Sequence, residues 1–589
     1  MRTIAHVTHE AVQKSGGIGA VLEGLLTSEP YRRAEQRTVL VGPLFEGEGG
    51  GHGRLGPGGE VLYSSMDGLT QHPVSRALDP VRRRFHVGIV YGHRPVRNPL
   101  TGQSADVEVL LLDTSRIELN ELNGFKARLW ERFGLDSRRH ERSWEYDLYV
   151  KLAGPALAAL QALGAADADD ECIVVAHEWM GLPTALGAAA SGLPAFRTLF
   201  YAHEVSAMRR IVESHPAHDL MFYNLLSRAI AGDLYLEDVF GPQEDCPRHA
   251  LVRLSRHCDR ILAVGDRVVK ELRFLGPEFA GADIVTTYNG IPAGPVTPAQ
   301  RRESGRRLRA YAAALLGEEP DLVFTHVARQ VTSKGFWRDL RVLEHLEPIL
   351  RRDGRTAVMF LLSTDLPGRL PEDVRRMEQR WHWPLAHRER DPDLSFNEAE
   401  FYPGVQVFNA RSRQIKVVLV NQFGWDRQAC GERMPAEMSF VDIRRGTDAE
   451  FGQSVYEPFG ISQLEPLTCG AVCVLSDACG CAGFVEEVAG GAHVPNVIIA
   501  DYCGAAAALT TEALLGMSME HREHLENQVA RRVAAELAAR LPADEQAVEA
   551  LLGSGWELAR QMSWDVVAAE RVMPAIESLA RPQLRIHAA

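Results

Sequence analysis

Ser454-Val455-Tyr456-Glu457-Pro458-Phe459-Gly460-Ile461-Ser462-Gln463-Leu464-Glu465-Pro466-Leu467 is the stretch around which the chain is read. Two glutamates stand with seven residues between them, and a Gly-containing turn follows the first. The pattern places Glu457 on a loop and lets Phe459–Ile461 open a helix. Free backbone N–H groups at a helix start attract an anion, and the helix dipole adds to that attraction. Glu465 falls about two helical turns on, on roughly the same face. The loop would then present a carboxylate, a phosphate cradle made by Phe459, Gly460 and Ile461, and a second carboxylate. A nucleotide-sugar carries a sugar, a diphosphate and a ribose in that order. A surface helix that happens to carry two glutamates fits this stretch equally well when it is read alone.

The bulk properties narrow the field. A chain of 589 residues exceeds one ordinary core, so two large domains are expected. Apolar content of 46% and charged content of 24% are globular values. The net charge of −14 argues against a nucleic-acid partner. No apolar run is long enough to span a bilayer, and Met1-Arg2-Thr3-Ile4 enters a strand-like segment without a secretory leader. The expectation is a cytoplasmic protein with no membrane contact, its oligomeric state open. Nine cysteines form no staple pattern. Cys469, Cys473, Cys479 and Cys481 crowd together but lack the paired CxxC spacing of a zinc site, so buried thiols in a reducing compartment are the better account.

In chain order, Arg2–Thr8 reads as a buried strand running into His9-Glu10-Ala11-Val12-Gln13-Lys14-Ser15-Gly16-Gly17-Ile18-Gly19, a Gly-rich turn before an apolar helix. Gly16 and Gly17 allow close approach to a phosphate, and Lys14 can add positive charge. The dinucleotide spacing is absent, and a plain tight turn fits as well. Apolar runs at Thr38–Val41, Phe85–Val90 and Val107–Leu112 fit strands of a sheet covered on both faces. Gly47–Gly59 reads as a loop and Ser143–Leu163 as a long helix. Cys172–Ala176 ends in His177-Glu178-Trp179, and Thr198–Ala202 ends in His203-Glu204, with Arg209 soon after. Polar residues at the carboxyl ends of strands in an open α/β sheet are where ligands bind, although each His could equally be a satisfied buried imidazole. Arg260–Val264 and Asp283–Thr287 close this half.

Pro295–Arg309 reads as hinge and leading helix, after which the pattern restarts. Leu322–Ala328 is a strand, and Arg329-Gln330-Val331-Thr332-Ser333-Lys334-Gly335 leads into a helix through about Leu350. Arg329 offers a bidentate fork and Lys334 a point charge for phosphate, or the two are solvated surface charges. Ala357–Leu362, Lys416–Val420, Ser439–Ile443 and Ala471–Leu475 are read as further elements of this sheet. Residues 365–413 read as polar and irregular, and helices fill much of Ala505–Leu579. The fold class is therefore α/β, with two Rossmann-like domains facing across a central cleft. The expected bounds are 1–295, 296–563 and a C-terminal helix over 564–589.

With these residues in hand, the chain resembles the glycogen and starch synthases, retaining glycosyltransferases of the GT-B fold. Lys14-Ser-Gly-Gly-Ile-Gly, His177-Glu-Trp, the His203 loop, Arg329 with Lys334, and Glu457-Pro-Phe-Gly with Glu465 carry the likeness in matching order. Val41-Gly-Pro-Leu, Asp283-Ile-Val-Thr before Asn289-Gly, and Arg445-Gly upstream of Tyr456-Glu-Pro look like the eukaryotic-type glycogen synthases, while the Arg329-to-Lys334 spacing is the bacterial one. The resemblance implies that Arg329 and Lys334 hold the diphosphate and stabilise the leaving group, so that no metal or other cofactor is expected. It implies that Lys14, Gly16 and Gly17 close over the phosphates, and that His203 and Arg209 lie by the donor glucose. Glu457 would hydrogen-bond the glucose hydroxyls, the Phe459–Ile461 amides bind phosphate, Glu465 holds the ribose and Phe440 stacks on the base. His177 and Glu178 would face the acceptor, and the C-terminal helix over 564–589 would cross back to the first domain.

The implied reaction transfers glucose from UDP-glucose or ADP-glucose to the non-reducing end of an α-1,4-glucan with retention of configuration. Two other readings stand beside it: a GT-B transferase with a small acceptor, and a non-catalytic nucleotide-sugar sensor. A phosphorylase would need a pyridoxal-phosphate lysine, for which no motif is found. One departure carries an expectation of its own. The regulated eukaryotic enzymes bear an arginine cluster near the C-terminus that senses glucose-6-phosphate, whereas Glu545–Ser563 contains only Arg560. Strong activation by that ligand is not expected.

Overall fold

The computed structural model describes residues 2–579 except 15, 35, 46–50, 167–169, 366–368 and 391. Part of the Gly47–Gly59 loop expectation therefore lies outside the described residues, and Gly51–Leu55 forms a 3-10 turn. The chain divides into two compact units. Unit 1 comprises Met1–Met208, Ala229–Gly290 and Trp564–Ala589; unit 2 comprises Arg209–Arg228 and Ile291–Ser563.

Unit 1 is built on nine strands: β1 (Arg2–Val7), β2 (Gln36–Pro43), β3 (Glu60–Ser64), β4 (Gly88–Arg97), β5 (Ser104–Asp113), β6 (Glu171–His177), β7 (Phe196–Ala202), β8 (Arg260–Ala263) and β9 (Ile284–Thr286). They lie in the order β3-β4-β5-β2-β1-β6-β7-β8-β9. All neighbours pair in parallel except β4, which runs antiparallel to β3 and β5. Ile4, Val39, Val41, Ile173 and Val174 are wholly buried, which is why the central strands read as continuous apolar runs. The chain leaves β1 toward one edge and returns beside it at β6, so the strand order reverses between β1 and β6. Three contacts hold the C-terminal segment within this unit. Asp565 accepts from the Glu29 amide at 2.7 Å, Arg260 donates to the Ala575 carbonyl at 3.0 Å, and Arg571 lies 5.2 Å over the Tyr288 ring.

Unit 2 has six strands, all parallel: β10 (Leu322–Arg329), β11 (Ala357–Thr364), β12 (Ile415–Val420), β13 (Ala449–Gly452), β14 (Val472–Ser476) and β15 (Val497–Ala500). Their order is β12-β11-β10-β13-β14-β15, with the reversal between β10 and β13. The leading helix, Pro298–Leu316, opens on a Thr297–Gln300 capping box with Pro298 in its first turn. Its Tyr311 stacks on Phe360 with centroids 5.4 Å apart and meets Trp425 edge-on at 5.6 Å, at the heart of the core.

Four expectations are corrected. Phe85 ends the helix Ser75–Phe85, because His86 takes a left-handed cap with φ +53, and the strand starts only at Gly88. Ser439–Ile443 is no strand: Ser439 and Asp442 form a capping box for the helix Phe440–Gly446. Residues 365–413 are not wholly irregular but carry helices Pro371–Trp381 and Phe396–Arg411. Their setting is a buried polar cluster in which Arg369 donates to Glu398 at 2.7 Å and His387 meets Asp393 at 2.8 Å. Finally, the helix expected after Glu457 is one turn, Ile461–Leu464, and Pro466 turns the chain into a 3-10 segment, Glu465–Cys469. One turn sums few peptide dipoles, so the field there comes mainly from local amides.

Segment Arg209–Arg228 docks onto unit 2 through a buried charge cluster. The wholly buried Arg338 donates to Asp219 at 2.6 and 2.9 Å and to Glu526 at 2.9 Å, with its guanidinium 3.8 Å over the Tyr502 ring. Burial pushes Asp219 above the usual carboxylate range. Burial also acts to raise Glu526, but the guanidiniums of Arg338, Arg522 and Arg341 hold it below.

Candidate functional site

In unit 2 the predicted residues gather at the carboxyl ends of β10 and β13, where the strand order reverses. Ligands of open α/β sheets bind at such a point. The Ser333 carbonyl accepts from the Val455 amide at 2.8 Å and from the Tyr456 amide at 3.3 Å, joining the cationic loop to the glutamate loop. Lys334 and Glu457 form an ion pair, their side chains 17% and 13% exposed. Arg209 donates to Ser333 Oγ at 2.9 Å and lies 5.0 Å over the Tyr456 ring, so it belongs to the same cluster. Arg329 is exposed at the end of β10, and among the described residues no hydrogen bond or ion pair engages its guanidinium.

Two glycines make this approach possible. Gly335 has φ +65, and a Cβ there would lie 2.5 Å from the Gln453 carbonyl oxygen. A Cβ on Gly480 would lie 1.9 Å from the Pro458 carbonyl oxygen. The Gly480 amide donates to the Glu457 carbonyl at 3.0 Å and the Cys481 amide to the Phe459 carbonyl at 2.9 Å, which pins the turn after Glu457. The amides of Gly460 and Ile461 stand ahead of the first intrahelical bond.

The buried Arg444 connects two further predicted residues. Its guanidinium lies 5.6 Å from the Phe440 ring centroid and 3.7 Å from Glu465, while Glu450 at 3.0 Å balances its charge. Arg444 stands in no recognisable motif, and its importance comes from its neighbours in space.

The nine cysteines are free thiols. Among the described residues one group, Asp219, Asp477 and Cys503, brings potential metal-ligand atoms within 4.8 Å of one another. Asp219 is committed to Arg338, and Asp477 accepts from the Tyr502 and Cys503 amides, so these groups hold the fold together. A groove of about 860 Å³ lined by Arg301, Arg306, Asp321, Leu322 and Arg355 lies at the amino ends of β10 and β11, the opposite edge of the sheet from the cationic loop.

In unit 1 the predicted residues flank the reversal between β1 and β6. Glu10 takes the amides of Gly16 at 2.8 Å and Gly19 at 3.0 Å and thereby folds the Gly-rich turn; Lys14 pairs with Glu23 at 2.5 Å. Glu178 has φ +62, an uncommon conformation for a residue with a Cβ. Its Oε1 accepts from the His203 and Glu204 amides at 2.5 and 2.6 Å, while Oε2 is buried without a hydrogen-bond partner. Burial, with Glu204 nearby, pushes the Glu178 carboxyl well above its usual range. His177 and His203 are in direct contact, His177 Nδ1 lying 2.9 Å from His203 Nε2. Sequence reading missed the continuation: His177 Nε2 is 2.8 Å from His6 Nδ1, and His6 Nε2 is 3.0 Å from the Tyr31 hydroxyl. Burial lowers His6 and His203 to about 3 and His177 well below the usual value, so all three imidazoles are neutral at pH 7.

No protein-family model matches the chain, and no curated protein does. Solved structures match along its whole length. The catalytic domain of starch synthase IV from Arabidopsis thaliana, bound to ADP and acarbose, aligns over 98% of this chain and 99% of that one, with 13% identity and a TM-score of 0.53. Sucrose-phosphate synthase from Thermosynechococcus elongatus aligns over 98% of this chain and 100% of its own, with 12% identity and a TM-score of 0.50. An α,α-trehalose-phosphate synthase (UDP-forming) from Burkholderia vietnamiensis covers 98% of each chain at 14% identity, with a TM-score of 0.47. The architecture, two Rossmann-like units each with its strand order reversing beside a polar loop, is the GT-B fold. Among the described residues no helix is long and apolar enough to cross a membrane.

Proposed function

We propose that this protein is a retaining GT-B glycosyltransferase, and specifically an α-1,4-glucan synthase that uses UDP-glucose or ADP-glucose. The observation that carries the proposal is the pairing of Lys334 with Glu457 on two hydrogen-bonded loops at the reversal point of unit 2, with Arg329 at the end of β10 and Arg209 reaching Ser333 from the helix Ser206–Ser214. Five elements of that unit then fit one nucleotide-sugar. Arg329, whose guanidinium is unengaged among the described residues, and Lys334 take the diphosphate; the Gly460 and Ile461 amides, with that of Phe459, add neutral donors. Glu465 takes the ribose, and Phe440, held beside Arg444, offers a face to the base. Glu457 faces the sugar, paired with Lys334 until the donor's phosphates share that cation.

In unit 1, Lys14 with the Gly16–Gly17 turn is assigned to phosphate, His203 to a sugar hydroxyl, and His177 with Glu178 to the acceptor side. In the reaction, the anomeric carbon–oxygen bond to the diphosphate breaks and a bond to the acceptor hydroxyl forms on the same face. The acceptor proton leaves on a diphosphate oxygen. The Arg329 guanidinium and the Lys334 ammonium stabilise the departing nucleoside diphosphate, and no metal is assigned a role.

The test is nucleoside-diphosphate release with glycogen and each donor separately. Release with glucose incorporated into polymer establishes the proposal and the base. Release with a sugar or sugar-phosphate acceptor, but no elongation of glycogen, reassigns the enzyme to small acceptors. Donor binding without release on any acceptor rejects the enzymatic role in favour of a nucleotide-sugar sensor.

A further inference from the structure

Three adjacent strands of unit 1, β2, β1 and β6, and the turn after the fourth, β7, place a polar side chain on one face of the sheet. Thr38 of β2 shares the register level of Ile4 on β1, His6 of β1 that of Val175 on β6, and His177 of β6 that of Tyr201 on β7. Side chains alternate along a strand, so Thr38, His6, His177 and Tyr201 point the same way, and His203, just past β7, stacks on Tyr201 and His177 with centroids 4.6 and 5.2 Å apart. Tyr31, from the short helix Glu29–Arg33, fills the gap between Thr38 and His6. The result is an unbroken series: Thr38 Oγ1 to Tyr31 OH at 3.1 Å, Tyr31 OH to His6 Nε2 at 3.0 Å, His6 Nδ1 to His177 Nε2 at 2.8 Å, and His177 Nδ1 to His203 Nε2 at 2.9 Å. His6, His177 and Tyr31 are at most 4% exposed, so no bulk water competes for their polar atoms.

A neutral imidazole carries one proton, and each ring here has both nitrogens engaged or, at His203, one engaged and one left over. The series can therefore be satisfied in only two ways, with every hydrogen bond pointing toward His203 or every one away from it. Tyr31 decides between them. A phenolic O–H is a better donor than an aliphatic hydroxyl, and an sp² imidazole nitrogen is a better acceptor than a phenol oxygen. Tyr31 thus donates to His6 Nε2, His6 Nδ1–H donates to His177, His177 Nδ1–H donates to His203 Nε2, and the proton of His203 is left on Nδ1.

We infer that Tyr31, His6 and His177 are positioning residues that fix His203 as its Nδ1–H tautomer, making it an obligate hydrogen-bond donor to an oxygen of the bound sugar. This inference rests on the proposed glycosyltransferase reading only for the identity of that oxygen. The series is a tautomer lock rather than a store for a proton, since burial keeps its imidazoles uncharged. It predicts the rarer tautomer at all three histidines, a property no packing role would require.

The experiment is ¹⁵N NMR of the full chain labelled at histidine, with His6, His177 and His203 assigned by single substitution and the tautomer read from the two ring-nitrogen shifts. The expected result is Nδ1–H on all three rings. A proton on Nε2 of His203 overturns the inference. Tyr31→Phe removes the decisive donor and is expected to spread the His203 proton over both nitrogens. With an active donor and acceptor, its kcat falls at least about tenfold at unchanged donor KM. Unchanged His203 shifts with unchanged kcat overturn the lock. Thr38→Val leaves the Tyr31–His6 bond in place and is expected to leave the tautomers as they are; a switch at His203 in this variant means the series runs the other way and refutes the inference. If no donor is turned over, the glycosyltransferase reading falls while the nitrogen shifts still decide the lock.

Discussion

Replacing Arg338 by Met tests whether a buried charge docks the segment that carries Arg209. Met keeps much of the stem's volume and removes the guanidinium. Asp219 and Glu526, both wholly buried, then lose their shared partner, and Tyr502 loses the cation over its ring. Breaking a buried ion pair from one side costs about 3–5 kcal/mol, because the remaining charge is stranded. For a unit of this size, with about 2.1 cal/mol/K of unfolding entropy per residue, that is a fall in melting temperature of roughly 5–8 °C. The loss should shrink in acid. Burial already raises Asp219, and without Arg338 it rises further, so protonation below its folded pKa removes the stranded charge and ionisation above it restores the penalty. Calorimetric unfolding of Arg338→Met from pH 5 to pH 8 should show the gap to wild type widening with pH. Adding Asp219→Asn and Glu526→Gln should recover most of it. Because Asp219 and Arg209 share one docked segment, donor affinity should fall with Arg338→Met and return with the triple variant. A cost below about 1 kcal/mol, less than that of a typical buried pair, or one independent of pH, refutes the reasoning.

Glu457→Ala removes the carboxylate opposite Lys334 and should lower turnover on the order of 10²–10³-fold with the unfolding transition retained; near-normal turnover in a rate assay takes Glu457 out of the mechanism. Arg329→Ala deletes an exposed, unengaged guanidinium, so stability should hold while donor binding, measured by calorimetry, weakens about ten- to a hundredfold for a lost charge-assisted contact; unchanged affinity counts against the diphosphate role. Glu178→Gln keeps an oxygen for the His203 and Glu204 amides. Because the folded pKa of Glu178 is raised, wild type loses stability as pH climbs from the ordinary carboxylate value through the folded one, and the Gln variant should lack that loss in pH-dependent denaturation; parallel pH curves would contradict it. Glucose-6-phosphate should leave activity unchanged, since Arg560, the one basic residue in Glu545–Ser563, is paired with Glu557 at 2.7 Å; a clear rise in rate on adding the ligand would overturn this.

What was legible in the sequence was whatever repeats locally. Apolar runs gave the central strands, and polar residues at or just past their carboxyl ends gave Arg329, Lys334, His177 and His203. What was not legible depends on register or on partners far away. β13 escaped notice because its four residues include Glu450, an unlikely strand residue until Arg444 is seen beside it. The helix Phe396–Arg411 lacks a clear apolar stripe, since Glu398 on it is buried among Arg369, Thr364 and Asn421. Its Ser395–Glu398 capping box was the available signal, as Ser439–Asp442 was for the helix misread as a strand. His6 lies unremarked inside the buried strand read over Arg2–Thr8, and only the side-by-side pairing of β1 with β6 shows what it meets.

The spacing of the cationic and glutamate motifs has a backbone cause. Ser333 spends its carbonyl on two amides of the 454–457 loop, and the Gly335 and Gly480 positions leave no room for a Cβ against the carbonyls of Gln453 and Pro458. Lys334 and Glu457 are therefore set opposite one another by main-chain contacts, and their side chains need little rearrangement to stay paired. A site assembled from backbone contacts tolerates wide change elsewhere. The same architecture can then be kept at 13% identity with a starch synthase, provided the small residues and the strand ends stay where they are. Under the proposed function, specificity would come from side chains that this frame leaves adjustable, with Phe440 beside Arg444 proposed for the base and the groups around Glu178 proposed for the acceptor.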